Sequence, residues 1–158
     1  MDIKEAMATF QLKATKIVNL DIKNDFLDLP SDDQLDKSIS LGNTLIEILN
    51  SNSDNDPLLA RMQLQVNLFF ESKIDNKKME IVITVEGVFS FSENDENKFK
   101  QMLVLNGNSS LYSILRAYIS TISSLTFDTG KITLPMINFL KLSELIQKRN
   151  SENATIEE

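Results

Sequence analysis

The chain has 158 residues, 42% of them hydrophobic, and a formal net charge of −7. That is apolar material for one core, and the acidity argues against a nucleic-acid partner, which needs a basic face. There is no His, no Cys and only four Gly, so Cys/His zinc sites, Ser-His-Asp triads, thiol nucleophiles, disulfides and glycine-rich phosphate loops are excluded.

Residues 1–8 read as a lead-in; Met1-Asp2-Ile3-Lys4-Glu5 has neither the basic nor the apolar segment of a secretory signal. A first strand follows. Phe10, Leu12, Ala14, Val18, Leu20 and Ile22 alternate with polar residues, and Lys16-Ile17 breaks the alternation, as at a bulge or an edge strand. Pro30 ends this unit, because it cannot donate to a ladder. Phe26, Leu27 and Leu29 are apolar residues on a connection, and they either lid the core or line a groove. Ser31 to Lys37 is a polar crossover. The second strand covers Ser38 to Leu49, with Ile39 and Leu41 on one phase and Ile46 and Ile48 on the other. One extra residue near Gly42 would restore the register, which predicts a bulge there. Asn50 to Pro57 is a loop of Asn, Ser and Asp.

Ala60 to Ser92 carries the strongest pattern. Met62, Leu64, Val66, Leu68 and Phe70 alternate with Arg61, Gln63, Gln65 and Asn67; Met79, Ile81, Ile83 and Val85 alternate against Glu80, Thr84 and Glu86. A period of two marks strands with one buried and one wetter face. Asp75-Asn76-Lys77-Lys78 supplies the hairpin turn, and Gly87 marks a close backbone approach or a bulge.

After Ser92 the period changes. Asn94 or Asp95 caps a short helix bearing Phe99, Met102 and Leu103, closed by Asn106-Gly107. Ser109 or Ser110 caps the next, with an apolar stripe of Leu111, Ile114, Leu115, Tyr118, Ile119, Ile122 and Leu125. Its opposite face carries Ser113, Arg116, Ser120, Thr121, Ser123 and Ser124, small and hydroxylated, which is either a plain exposed face or one suited to packing against another subunit. Pro135 is placed as the first residue of a last helix with Phe139, Leu142, Leu145 and Ile146. The acidic end, within 150–158, reads as disordered, with the domain over 1–150. Asp32-Asp33 and Asp54-Asn55-Asp56 lack the spacing of a calcium loop. No metal, cofactor or catalytic group is expected, and no apolar run reaches the ~20 residues of a membrane span.

Strands followed by helices predict an α+β fold, a four-stranded antiparallel meander with helices on one side. A hot-dog arrangement fits less well, because its long helix precedes most strands. Three segments resemble the protein-export chaperone family of SecB: Glu86-Gly87-Val88-Phe89-Ser90, Leu111-Tyr112-Ser113-Ile114-Leu115-Arg116-Ala117, and Leu134-Pro135-Met136-Ile137-Asn138-Phe139, in the family's order and at about its spacing. Thr9-Phe10-Gln11-Leu12 and Asp21-Ile22 are similar to its first strand.

The resemblance implies a cytoplasmic, ATP-independent holdase, a homotetramer built as a dimer of dimers, with surface grooves for unfolded chains such as preproteins. Absence of cysteine fits a reducing cytoplasm. Phe26, Leu27, Leu29, Ile39, Leu41, Leu142 and Ile146 are the groove candidates. The family docks on the translocase motor SecA through outer-face acids. Asp21 matches one position and Asp25 a second; the third is Val82 here, with Glu80 two residues earlier. Ser113, Arg116, Ser120, Thr121 and Ser124 are the candidates for the subunit interface. SecB-like proteins also serve as dedicated chaperones of the antitoxin in toxin–antitoxin systems, which is the alternative function.

Overall fold

A computed structural model describes residues 8–42, 45–49 and 56–154. Most of the expected lead-in, Asn43-Thr44, most of the Asn50–Pro57 loop and 155–158 lie outside them. Strands β1 (Phe10–Asn24), β2 (Leu35–Leu41), β3 (Leu45–Leu49), β4 (Leu58–Ser72) and β5 (Lys78–Phe91) form one antiparallel sheet. The expected α+β class is the one observed. The order is β1-β5-β4-β2, with β3 also on β4, so only the strands from β2 onward form a meander. β1 crosses over to the outer edge of β5, a Greek-key placement that corrects the simple meander.

The hairpin follows its alternation. Met62, Leu64, Val66, Leu68, Phe70, Met79, Ile81, Ile83 and Val85 are all buried. Its turn closes with Asn76 in the left-handed region (φ 56°), and Ser72 Oγ accepts the amides of Ile74 and Asp75. β1 shifts register between Leu12 and Ala14 and again between Ile17 and Asn19, which accounts for the broken pattern. Across Gly42, Leu41 lies opposite Val66 and Leu45 opposite Gln63. Four steps on one side match three on the other, so one extra residue is present, as predicted.

The expected helix break at Asn106-Gly107 is not there. α1 (Glu96–Met102), a wide π-type turn (Leu103–Gly107) and α2 (Asn108–Thr126) run on as one helical rod, started by Asp95, whose side chain accepts Lys98 N. Gly107 has helical dihedrals, and a Cβ on it would come 2.8 Å from Met62 Sδ. It is glycine because the rod presses onto β4, not because a helix ends. The buried residues Phe99, Leu103, Gly107, Leu111, Leu115, Ile119 and Ser123 recur every four residues. In an α-helix that repeat drifts about 40° per step, and the wide turn takes back part of the drift. Gly87 causes no register shift; it makes room for Leu111.

Leu125, assigned to the buried stripe, is 83% exposed, while Ser123, assigned to the polar face, is fully buried. Residues 127–138 then return along α2 as an irregular strap. The last helix, α3 (Phe139–Ala154), begins later than expected: Asn138 caps it, accepting Lys141 N at 3.0 Å, and Pro135 stays in the strap. α3 takes in residues 150–154 of the acidic end. One hydrophobic cluster joins sheet, rod and strap, and Phe10, Phe89, Phe91 and Phe99 stack at one end of it.

Candidate functional site

A cleft of about 680 Å³ opens where the sheet edge meets α3, within the range of ligand-binding clefts. β2 supplies Ile39 and Leu41, β4 supplies Leu64, the π-type turn supplies Val104, and the strap and α3 supply Ile137, Phe139 and Leu142. Polar rim groups are Asn108 and Ser143. Ile39 and Val104 are about 40% exposed, although both face other apolar groups across the cleft. Among the described residues β2 pairs only with β4, so its outer edge borders this apolar space.

The groove candidates divide. Ile39, Leu41 and Leu142 come together on the cleft. Phe26 is buried in the core, with Asn24 bonding its amide and its carbonyl. Leu27 (79% exposed) and Leu29 lie on the crossover, which pairs with the start of the strap through Asp128 N to Leu27 O and Leu29 N to Thr129 O. These three do not line the cleft. The side chain of Ile146 lies outside the described residues. Leu64, Val104, Ile137 and Phe139 also line the cleft, outside the groove candidates. The alternation of β4 marks Leu64 only as a core residue, and the place of Ile137 and Phe139 just after Pro135 has no meaning until the strap is seen to fold back.

On the outer sheet face, Asp21 and Lys23 lie opposite Val82 and Glu80. Lys23 Nζ sits 3.3 Å from Glu80 and 3.8 Å from Asp21, and its pKa is raised, first by Glu80 and then by Asp21. Asp25 accepts the amide of Lys78 at 3.1 Å. The three acids therefore share an end of the sheet but do not form a bare anionic patch. Further along, the buried Glu86 accepts from Gln63 and pairs with Lys16 and Arg61. The Gln63 bond, followed by Lys16 and Arg61, holds its carboxyl below the usual value against the opposing effect of burial.

Of the interface candidates, Ser113, Thr121 and Ser124 are exposed and Ser120 is half-buried on α2. Arg116 is turned onto the strap, its Nε donating to Leu134 O at 3.0 Å. Tyr112 Oη donates to Pro135 O at 2.9 Å, and Ser123 Oγ accepts Ile132 N at 2.8 Å. Burial raises the Tyr112 pKa, opposed by Arg116.

No protein-family model matches the sequence, and no curated protein matches it. The fold does have solved counterparts. The chain superimposes on a SecB-like chaperone of Mycobacterium tuberculosis (Rv1957), solved in complex with a ChAD peptide from the HigA1 antitoxin, with a TM-score of 0.61 and 11% identity over 81% of this chain and 90% of that one. The fold is SecB-like. A Streptococcus agalactiae protein of unknown function is also similar, with a TM-score of 0.50 and 11% identity over 80% of this chain and 97% of that one. In this SecB-like fold the long rod covers the inner face of the sheet and leaves the cleft at the β2 edge. Among the described residues no helix is long and apolar enough to cross a membrane.

Proposed function

We propose that the chain is an ATP-independent holdase of the cytoplasm that takes extended apolar segments of non-native polypeptides into the cleft. The observation that carries this reading is an open apolar cleft beside a free strand edge. Exposed apolar area receives side chains, and an unpaired edge offers backbone partners, so recognition reads extended chain more than sequence. The test is dilution of a chemically denatured client into buffer without nucleotide, with and without the protein. Stoichiometric protein should suppress aggregation, and Leu41→Asp or Leu142→Asp should lose most of the effect. Wild type that protects none of several clients would sink the reading.

A second reading is a dedicated chaperone for one partner such as an antitoxin. It is favoured by the M. tuberculosis counterpart, which was solved with an antitoxin peptide. Recovery of one stoichiometric partner on purification, with no protection of unrelated clients, would decide for it. Self-association as a dimer of dimers would cover Ser113, Ser120, Thr121 and Ser124, together with Ile17, Val18 and Leu20, which are 40–48% exposed on the edge strand β1; light scattering tests it. Docking of a SecA-like motor on Asp21, Asp25 and Glu80 has less support, because Lys23 offsets part of the charge.

A further inference from the structure

Besides the rod, which contributes Val104 and Asn108, the cleft has two walls that are held very differently. One is the sheet, fixed by continuous ladders from β2 to β5. The other is formed by Ile137, Phe139 and Leu142, and it hangs from the strap. The strap has no ladder of its own, so its path depends on where its backbone groups find partners. Two of its consecutive carbonyls are bonded by α2 side chains one turn apart: Arg116 Nε to Leu134 O and Tyr112 Oη to Pro135 O. The Tyr112 ring also packs edge-on against Phe139, with centroids 5.6 Å apart. Within α3 Phe139 is buried, Leu142 is only partly buried against the core, and Leu140 and Leu145 are 56% and 55% exposed, so among the described residues the burial of the helix is concentrated at its start. The position of the wall is therefore decided over residues 134–139, at the clasp.

We propose that Tyr112 and Arg116 are positioning residues of the cleft, acting through the strap to hold Ile137, Phe139 and Leu142 at the spacing an extended apolar segment requires. The proposal rests on the cleft being the client site. It also gives Arg116 a role within one chain instead of between subunits.

The test uses the full chain, a fluorescein-labelled peptide with leucine and phenylalanine at alternate positions, and three variants. Tyr112→Phe keeps the ring and removes one hydrogen bond, and should raise the peptide Kd about fivefold, the equivalent of one such bond. Arg116→Met should cost about tenfold, and Arg116→Lys, which keeps a donor, should recover part of that loss. In a Leu142→Ala background the Tyr112→Phe effect should shrink by about half or more, because both act on one wall; independent sites would add. Light scattering should show an unchanged oligomeric state. Unchanged Kd in folded Tyr112→Phe and Arg116→Met, or strict additivity with Leu142→Ala, would overturn the proposal. So would a change of oligomeric state in Arg116→Met without loss of affinity. Wild type that binds no peptide would instead remove the client site. In that case, amide exchange at Lys141 and Leu142 still judges the clasp: Tyr112→Phe should speed it, and unchanged exchange refutes it.

Discussion

Ser123 and Ser124 are neighbours of the same type on one helix, and their substitution by alanine should have opposite consequences. Ser123 is fully buried; its Oγ accepts the amide of Ile132 at 2.8 Å and donates to Ser120 O at 3.2 Å. Ile132 is itself buried, so Ser123→Ala leaves its N–H without an acceptor away from water, at a cost of about 1–3 kcal/mol. Alanine's better helix propensity returns up to about 0.5 kcal/mol, leaving a net loss of about 0.5–2.5 kcal/mol. In a chain of this size each kcal/mol is worth roughly 2–4 °C in Tm, so Tm should fall by roughly 1–10 °C. Ser124 Oγ bonds Thr121 O on an exposed surface, and Ser124→Ala should stay within about 0.5 kcal/mol of wild type. Urea unfolding of both variants at one protein concentration is the assay, with the midpoint shifting and the slope constant. Equal midpoints for the two variants would mean that Ser123 does not hold the strap.

Gly107→Ala should cost about 1–3 kcal/mol, because the added Cβ meets Met62 Sδ at 2.8 Å in a filled core; this exceeds the ~1 kcal/mol an alanine gains in a helix. Met62 is fully buried, so Met62→Ala alone costs about 2–5 kcal/mol; in that background the further cost of Gly107→Ala should shrink, and strictly additive urea midpoints argue against the steric cause. Glu86 titrates below its ordinary value of 4.5. Its contribution is thus present above that pH and lost as pH falls through the lower folded-state pKa. Glu86→Gln should therefore show a flatter fall of Tm over that acid window than wild type, and parallel curves would remove the carboxylate as the cause.

The hairpin was legible because alternation is a local signal. Met62, Leu64, Val66, Leu68 and Phe70 need only their own period to declare a face, and all five are buried. The bulge at Gly42 was legible for the same reason, as two phases of Ile and Leu that cannot share a face. Strand order was not, since nothing in Phe10–Asn24 states that its partners lie 55 to 81 residues along (Asn24 with Met79, Phe10 with Phe91), on β5. Asn106-Gly107 was misread because glycine serves two needs, the left-handed helix end and close approach, and only the packing partner Met62 separates them. Ser123 was unreadable in the same way: a serine that receives a returning strap looks like any serine on a polar face. Ile39, Leu41 and Leu142 could be nominated as spare apolar residues, but their meeting on one cleft depends on Asn138 starting α3 where it does.

Strand β2 also bears on how a protein with an open apolar edge avoids pairing with copies of itself. Lys37, Ile39 and Leu41 share one face, opposite Phe70, Leu68 and Val66 of β4. The Lys37 ammonium pairs with Asp32 and lies 5.9 Å over the Phe70 ring. A charge on the inner face of an edge strand opposes the addition of another strand there, since that strand would have to desolvate it. From Ile39 to Gly42 there is no such charge, and this half borders the cleft. The edge is thus guarded over one half and open over the other, and the open half coincides with Ile39 and Leu41. On the proposed reading this limits a client to a short register beside the cleft. Lys37→Leu should then widen client binding along β2 and raise self-aggregation together, whereas an increase in neither, by peptide binding and light scattering, would show that Lys37 does not guard the edge.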